Sequence, residues 1–275
     1  MTSSSAAYGQ PAQVPGPPAP PAGPRRGSAL PWVLVAVLAV VAVVLGVLLG
    51  VRSGGAGDSE QQGFATPEEA VEFSTEQIAE GDAAGALTAW ATDAQAENLD
   101  LVGTLERLRA FTPADTSSLP SDDKLFVGLA KTTRAGAAAE QYRRMTISLL
   151  LPDVDLDSTT PLEKGDVSAQ DIVDELDSAR LADLTAQRID QVKGPGKLDE
   201  NLAEAAKLVG ADERREYVVL YELDGETYLG GVGVLRYGDD WQIDSLQSSF
   251  AGTAYGSLVA ITSEEYDDLV ADFSS

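Results

Sequence analysis

The chain contains no cysteine and no histidine among its 275 residues. The absence of cysteine excludes disulfides, thiolate metal sites, thiol nucleophiles and a lipidated N-terminal cysteine. The absence of histidine removes the commonest general base near neutral pH and the commonest metal ligand. Basic residues are also few, with 19 Lys and Arg against 44 Asp and Glu, and nucleic-acid binding depends on such residues. We therefore expect no nucleic-acid partner and no cofactor.

Acidic residues are missing from the first 57 positions, which divide into two segments. Residues 1–29 are rich in Pro, Ala, Gly and Ser, a composition that buries too little apolar surface to offset the entropy of ordering. We predict a disordered cytoplasmic tail there. The 20 residues from Trp32 to Val51 carry no charge, and as a helix they would span the roughly 30 Å of a hydrocarbon core. This pattern predicts a transmembrane helix over residues 30–52.

The basic residues around this apolar segment predict its orientation. Arg25 and Arg26 precede the segment and only Arg52 closely follows it, so the N-terminus is expected in the cytoplasm. The apolar run exceeds the length of a signal-peptide core, and no A-x-A site follows, so we expect no cleavage. The sequence thus predicts a single-pass protein of the cell membrane, in contact with lipid through residues 30–52. Its C-terminal domain, with 16 basic against 44 acidic residues beyond Arg52, is expected outside the cell.

Beyond the membrane, we predict a flexible linker over residues 53–63 and an α+β domain over 64–275. Capping residues and apolar stripes predict six helices, beginning at Thr66 and at Asp82 and covering residues 97–111, 168–176, 198–209 and 262–273. The alternation of apolar residues predicts a strand over 142–151. Residues 184–192 are compatible with either a helix or a strand.

The last third of the chain predicts an antiparallel meander of three strands. Residues 217–223 and 228–237 alternate around Asp224-Gly225, a strong hairpin signal, and a second turn at Gly238 leads into residues 241–246. Helices followed by hairpin-connected strands indicate an α+β fold.

The chain resembles nuclear-transport-factor-2-like domains, also called cystatin-like cones. The resemblance rests on the opening Thr66-Pro67-Glu68-Glu69-Ala70-Val71, on Gly81-Asp82-Ala83-Ala84, and on Gly238-Asp239-Asp240-Trp241-Gln242-Ile243-Asp244-Ser245-Leu246. It extends to small membrane-anchored extracytoplasmic members of unknown function from high-GC Gram-positive bacteria. It implies N-terminal helices packed on a curved, cone-like antiparallel sheet, with a pocket that some members use for catalysis and others for binding. Residues 152–212 exceed the usual connection, and an inserted subdomain is one interpretation of them.

Four residues are candidates for lining such a pocket: Tyr217, Tyr221, Tyr228 and Asp244. Asp244 is the one acid set in a clearly apolar strand, while tyrosines in sheets more often pack in the core. The glycines within residues 228–233 lie inside a predicted strand, so they indicate a bend and not a phosphate-binding loop.

Asp153, Asp155 and Asp157 have the spacing of the first three ligands of a calcium loop. That loop needs Gly at its sixth position and Glu at its twelfth, where this chain has Ser158 and Lys164. An acidic surface loop is therefore the favoured interpretation, and we expect no metal site.

No set of catalytic residues is visible, so the sequence predicts a non-enzymatic binding or scaffold module of the cell envelope. Its partner would be an envelope protein or an apolar ligand. One alternative is a pocket enzyme of the isomerase or hydrolase type that uses an acid such as Asp244. A second alternative is an extracytoplasmic sensor.

Overall fold

The computed structural model describes residues 61–111, 119–152, 154–156, 169–193, 197–248, 251–253 and 255–273. Its helices are α1 (Pro67–Ala79), α2 (Ala83–Thr88), α3 (Thr92–Asn98), α4 (Leu101–Leu108), α5 (Lys124–Leu150), α6 (Ala169–Glu175), a 3-10 helix (Ser178–Asp183), α7 (Lys197–Leu208) and α8 (Ser263–Phe273). Its strands are β1 (Thr185–Gln191), β2 (Glu213–Leu223), β3 (Glu226–Tyr237), β4 (Asp240–Ser245) and β5 (Val259–Ala260).

The five strands form one antiparallel sheet in the order β1-β2-β3-β4, with β5 paired to the first half of β3. Asp224 and Gly225 both have positive φ, at 55° and 83°, which is the conformation of a two-residue hairpin loop. Gly238, with φ of 64°, begins the turn from β3 to β4. The predicted meander is therefore confirmed, and residues 184–192, which the sequence left ambiguous, provide strand β1 at the sheet edge.

One face of the sheet, here called the first face, carries the main hydrophobic core. Alternate residues of β2, β3 and β4 pack there against α1 and α5. The buried side chains include Val71 and Met145 from the helices and Val219, Val232 and Ile243 from the strands. Helices packed against an antiparallel sheet form the α+β arrangement that the sequence predicts.

The opposite, or second, face is covered by the later helices. Tyr266 of α8 packs on Val218 and Leu220 of β2, while Ala206 of α7 packs on Leu235 of β3. Because α7 and β1 come from the long middle segment, that segment contributes directly to the sheet and its cover.

Two predictions of secondary structure are wrong. Residues 142–150 belong to the 27-residue helix α5, since Ala138, Tyr142, Met145 and Leu149 are buried at the helical spacing of four, three and four. Residues 97–111 are not one helix, because α3 ends at Asn98 and Asp100 begins α4 by accepting a hydrogen bond from the Gly103 amide.

The predicted N-terminal caps are confirmed. Thr66 accepts a hydrogen bond from the Glu69 amide, and Asp82 accepts one from the Gly85 amide. At α8, Thr262 and Glu265 each accept a hydrogen bond from the other's backbone amide, which is a complete capping box.

The predicted tail, transmembrane segment and most of the linker, residues 1–60, lie outside the described residues. Within the part that the structure does describe, no helix has both the length and the apolarity needed to cross a membrane.

Candidate functional site

The three candidate tyrosines lie together on the first face and belong to the core. Tyr217 and Tyr221 are 2% exposed and Tyr228 is 8% exposed. Burial raises the pKa of all three phenols, so each remains protonated and cannot act as a base at neutral pH. Their positions fit a packing role within the helix-covered side of the sheet.

Asp244 lies on the other side of the sheet. Val234 pairs with Ile243 and Gly233 pairs with Ser245, so Asp244 is the extra residue of a β-bulge. Asp244 follows Ile243, which is buried in the first-face core, so the alternation of β4 already places its carboxylate on the second face. The bulge lets Leu246, three residues after Ile243, return to the first face. The structure therefore separates Asp244 from the three tyrosines and does not assemble the four candidates into one pocket.

The Asp244 carboxylate is held by two hydrogen bonds from distant elements. Gln95 Nε2 of α3 donates to Oδ1 at 2.7 Å, and Arg214 Nε of β2 donates to Oδ2 at 2.8 Å. Both donors are largely shielded, with Gln95 6% exposed and the Arg214 side chain 16% exposed. Because both carboxylate oxygens already accept a bond, Asp244 is fixed in position.

The network extends at both ends. Arg134 of α5 donates from Nη1 to the Gln95 amide oxygen, and Arg214 Nη1 lies 3.7 Å from Glu216 Oε1. We call Gln95, Arg134, Arg214, Glu216 and Asp244 the second-face network. Ion pairs from Lys131 of α5 to α3 keep these two helices together, at 2.9 Å to Asp93 and 2.6 Å to Glu97.

Gly233 makes room for this network. It stands directly opposite Glu216 on one side and Ser245 on the other. A Cβ at this position would lie 2.7 Å from Ser245 Oγ and 3.2 Å from Arg214 Nη2. Since real Cβ atoms do not come that close, the absence of a side chain at Gly233 lets the polar groups converge on one point of the sheet.

Glu216 is the buried acid of the network. It is 7% exposed, and its Oε2 atom is buried without a hydrogen-bond partner among the described residues. Burial raises the pKa of Glu216, the nearby Arg214 opposes the rise, and Asp244 adds to it. Tyr237, whose hydroxyl donates to the Val209 carbonyl at 3.0 Å, also has a raised pKa because it is buried close to Asp244.

A cavity of about 250 Å³ adjoins the network on the second face. Its polar wall consists of Gln95, Arg134, Arg214, Asp244 and Thr104, and its apolar wall consists of Leu99, Ala205, Leu208, Val209 and Leu235. The lining residues come from α3, α4, α5, α7 and the three strands β2, β3 and β4, together with the segments after α3 and α7. This combination of apolar surface with a few convergent polar groups is typical of a small-molecule site.

The remaining sequence candidates fall elsewhere. Of the weak calcium-loop residues, Asp155 is described and exposed, while Asp153 and Asp157 lie outside the described residues. No group of three or more acidic residues within the described ranges is arranged to hold a metal ion. The glycines of residues 228–233 lie within β3, as predicted, and Gly231 contacts the backbone of Gln247 and Ser248.

Four members of the network, Gln95, Arg134, Arg214 and Glu216, were not predicted from sequence. Arg214 and Glu216 did offer a signal, because they precede Val218 and Leu220 on the same face of β2, and charged side chains on a covered face need partners. Gln95 and Arg134 lie on helices and belong to no local motif, so no neighbouring sequence pattern identifies them as site residues.

With this geometry in place, comparison with known proteins identifies the fold. The chain is similar to the crystal structure of a cystatin-like protein from Ruminococcus gnavus ATCC 29149, with a TM-score of 0.50 and 21% sequence identity over 76% of this chain. This chain covers 44% of that protein, less than half of its length. No family model matches the sequence, and no curated protein matches it.

The likeness supports a cystatin-like cone, in which helices pack on an antiparallel sheet, and confirms the fold that the sequence resemblance implies. At this identity it shows the fold alone, and one fold serves many unrelated functions. The function must therefore be argued from the site.

Proposed function

We propose that this chain is a non-enzymatic binding module of the cell envelope, anchored by a single transmembrane helix over residues 30–52. Its outer domain would bind an envelope protein or a small ligand. The observation that carries the proposal is the state of Asp244, whose two oxygens accept bonds from Gln95 and Arg214. A carboxylate with both oxygens already hydrogen-bonded is suited to holding the side chains of a binding surface in place. Acid–base catalysis instead needs a carboxyl group within hydrogen-bond reach of the substrate proton.

The distribution of the other ionisable groups supports binding over catalysis. The tyrosines that a catalytic pocket would need are packed in the first-face core with raised pKa values. Asp244 lies on the second face, so no acid and tyrosine from the candidate set share one space. The site has the features of a binding wall, with a rigid polar network next to apolar side chains.

The envelope location rests on the N-terminal sequence. A run of 20 uncharged residues is long enough to span a bilayer, and the two preceding arginines favour a cytoplasmic N-terminus. The acidity of the chain beyond Arg52 favours a domain that projects away from an anionic lipid surface.

A pocket enzyme is the second candidate function, and Glu216 is the observation that favours it. A buried acid with a raised pKa is a common feature of catalytic sites. Glu216 would then serve as the acid–base residue, with Arg214 as the adjacent cation. A buried ion-pair network with a purely structural role can also shift the pKa of an acid, so the raised pKa of Glu216 alone does not indicate catalysis. For this reason we favour binding.

The two functions are separated by capture and turnover measurements on the full-length protein. Cells would be crosslinked, the tagged chain purified in detergent, and bound proteins and small molecules identified by mass spectrometry. The control is a chain that ends after residue 60. We expect at least one protein or small molecule to depend on residues 61–275. Recovery of nothing that depends on them, or a substrate conversion that is lost in Glu216→Gln, would contradict the proposal.

A further inference from the structure

We propose that the second-face cavity is a binding site for a small organic acid, with the carboxylate at Arg214 and Arg134 and the apolar body against Leu208 and Leu235. The inference rests on the proposed binding function and names its ligand class. It places the site on the side of the sheet that is opposite to the tyrosine-lined core.

The charge of the lining favours an anion. Its ionisable side chains are two guanidinium groups and one carboxylate, while the chain as a whole has 44 acidic against 19 basic residues. Glu216 forms an ion pair with Arg214 at 3.7 Å but does not line the cavity, and burial raises its pKa and so favours its neutral form. Electrostatic interactions at physiological salt decay over a Debye length of about 8 Å, so the groups at the wall act more strongly on a bound ligand than the distant acids do.

Arg214 has the donors that such a ligand needs. A guanidinium carries five N–H donors in a fork that matches a carboxylate. The bond to Asp244 uses Nε–H, and the Glu216 carboxylate at 3.7 Å from Nη1 is beyond hydrogen-bond distance. Asp244 holds the side chain in place, so little conformational entropy is lost when a ligand binds.

The size and the opposite wall of the cavity define the rest of the ligand. A cavity of about 150 Å³ lined by apolar side chains can hold benzene. The volume here is about 250 Å³, which leaves room for a ring or short chain plus a carboxylate. Leu99, Leu208, Val209 and Leu235 provide the apolar contacts.

The test is calorimetric titration of the full-length protein in detergent with three probes that share a benzene ring and have similar sizes. Benzoate carries the negative charge, benzamide is neutral and benzylamine is positive. We expect saturable binding of benzoate, at least about tenfold tighter than binding of the other two, because charge-assisted hydrogen bonds are the stronger ones. Equal or tighter binding of benzamide or benzylamine would overturn the proposal, as would no saturable binding of benzoate up to roughly 10 mM.

Two variants locate the binding, each with a matched control on the same helix. Arg134→Gln removes a lining cation of α5, whereas Arg143→Gln removes an exposed arginine of α5 that pairs with Glu140. Ala205→Leu fills the cavity from α7, whereas Ala203→Leu adds the same bulk at an exposed position. Benzoate affinity should fall about tenfold or more in each lining variant and stay unchanged in each control.

Ala205→Leu removes no polar contact, so it tests the site even if Arg134→Gln fails to fold. Unchanged benzoate affinity in folded Ala205→Leu would overturn the assignment to this cavity. If benzoate does not bind while an envelope protein is still captured through residues 61–275, this inference falls and the proposed binding function stands.

Discussion

At the scale of single residues, Trp241 lies at the start of β4 with two guanidinium groups close to its ring. The guanidinium carbons of Arg215 and Arg236 are 4.6 Å and 5.8 Å from the centre of its ring. Its backbone forms a two-way bridge with Phe64, which attaches the start of the domain to the sheet. The side chain is 6% exposed, so it belongs to the core as the alternation of β4 predicts.

We expect Trp241→Ala to lower the free energy of unfolding by about 3–5 kcal/mol, the cost of removing a large buried aromatic side chain. Trp241→Phe keeps an aromatic ring in the same place and should cost less. Chemical denaturation of both variants measures the effect. A midpoint for Trp241→Ala within error of the wild type would contradict the buried position.

Glu216 predicts a dependence of stability on pH. Because its pKa is raised in the folded protein, the folded state binds more protons than the unfolded state above the ordinary carboxyl pKa of about 4.3. The contribution of Glu216 to stability therefore decreases as the pH rises from the ordinary carboxyl pKa through the raised pKa of the folded protein. The stability of Glu216→Gln relative to the wild type should increase as the pH rises above about 4.3, since the glutamine does not titrate.

Glu213→Gln is the control with the opposite sign. A hydrogen bond from Arg215, followed by the charges of Arg215 and Arg236, lowers the pKa of Glu213 in the folded protein. Its contribution to stability is present at neutral pH and lost as the pH falls. Relative to the wild type, Glu213→Gln should become less stable as the pH rises through the acid range up to about pH 5, where the wild-type carboxylate ionises. Thermal melts at several pH values that show the same trend for both variants would contradict these assignments.

At the scale of secondary-structure elements, the features set by local chemistry were predictable. Hairpin turns, capping residues and the alternation of β2–β4 depend on neighbours in the sequence, and the structure confirms them. Residues 142–151 misled the prediction because Met145 and Leu149 fit both a two-residue and a helical period. Ala138 and Tyr142 distinguish the two periods, because they are buried on the same face of α5 as Met145 and Leu149.

Two glycines test the close packing of the elements. A Cβ at Gly231 of β3 would lie 2.3 Å from the backbone nitrogen of Ser248. Gly231→Ala should therefore lower the free energy of unfolding by about 1–3 kcal/mol through overpacking.

Gly136 of α5 is exposed with open space around it. Gly136→Ala should therefore raise the free energy of unfolding by about 0.5–1 kcal/mol through helix propensity. Melting temperatures should shift in opposite directions, and a stable Gly231→Ala would show that the contact with Ser248 is wrong.

At the scale of the whole molecule, the candidate site is built from residues that are far apart in the chain. Gln95 and Asp244 are separated by 149 positions, and Arg134 lies 39 positions from Gln95. The sequence therefore pointed to Asp244 through its place in an apolar strand but could not identify its partners. The bulge at Asp244, which lets Leu246 join Ile243 on the first face, also depends on pairing between β3 and β4.

The proposed binding function requires that the C-terminal domain faces outward at the cell envelope, and the chain's lack of cysteine allows a direct measurement of this orientation. Single cysteines would be placed by Ser5→Cys in the predicted tail and by Asp199→Cys at an exposed position of α7. A membrane-impermeant maleimide would then be added to intact cells. We predict labelling of Asp199→Cys at once and of Ser5→Cys only after the cells are lysed. Labelling of Ser5→Cys in intact cells while Asp199→Cys stays protected would contradict the outward-facing domain.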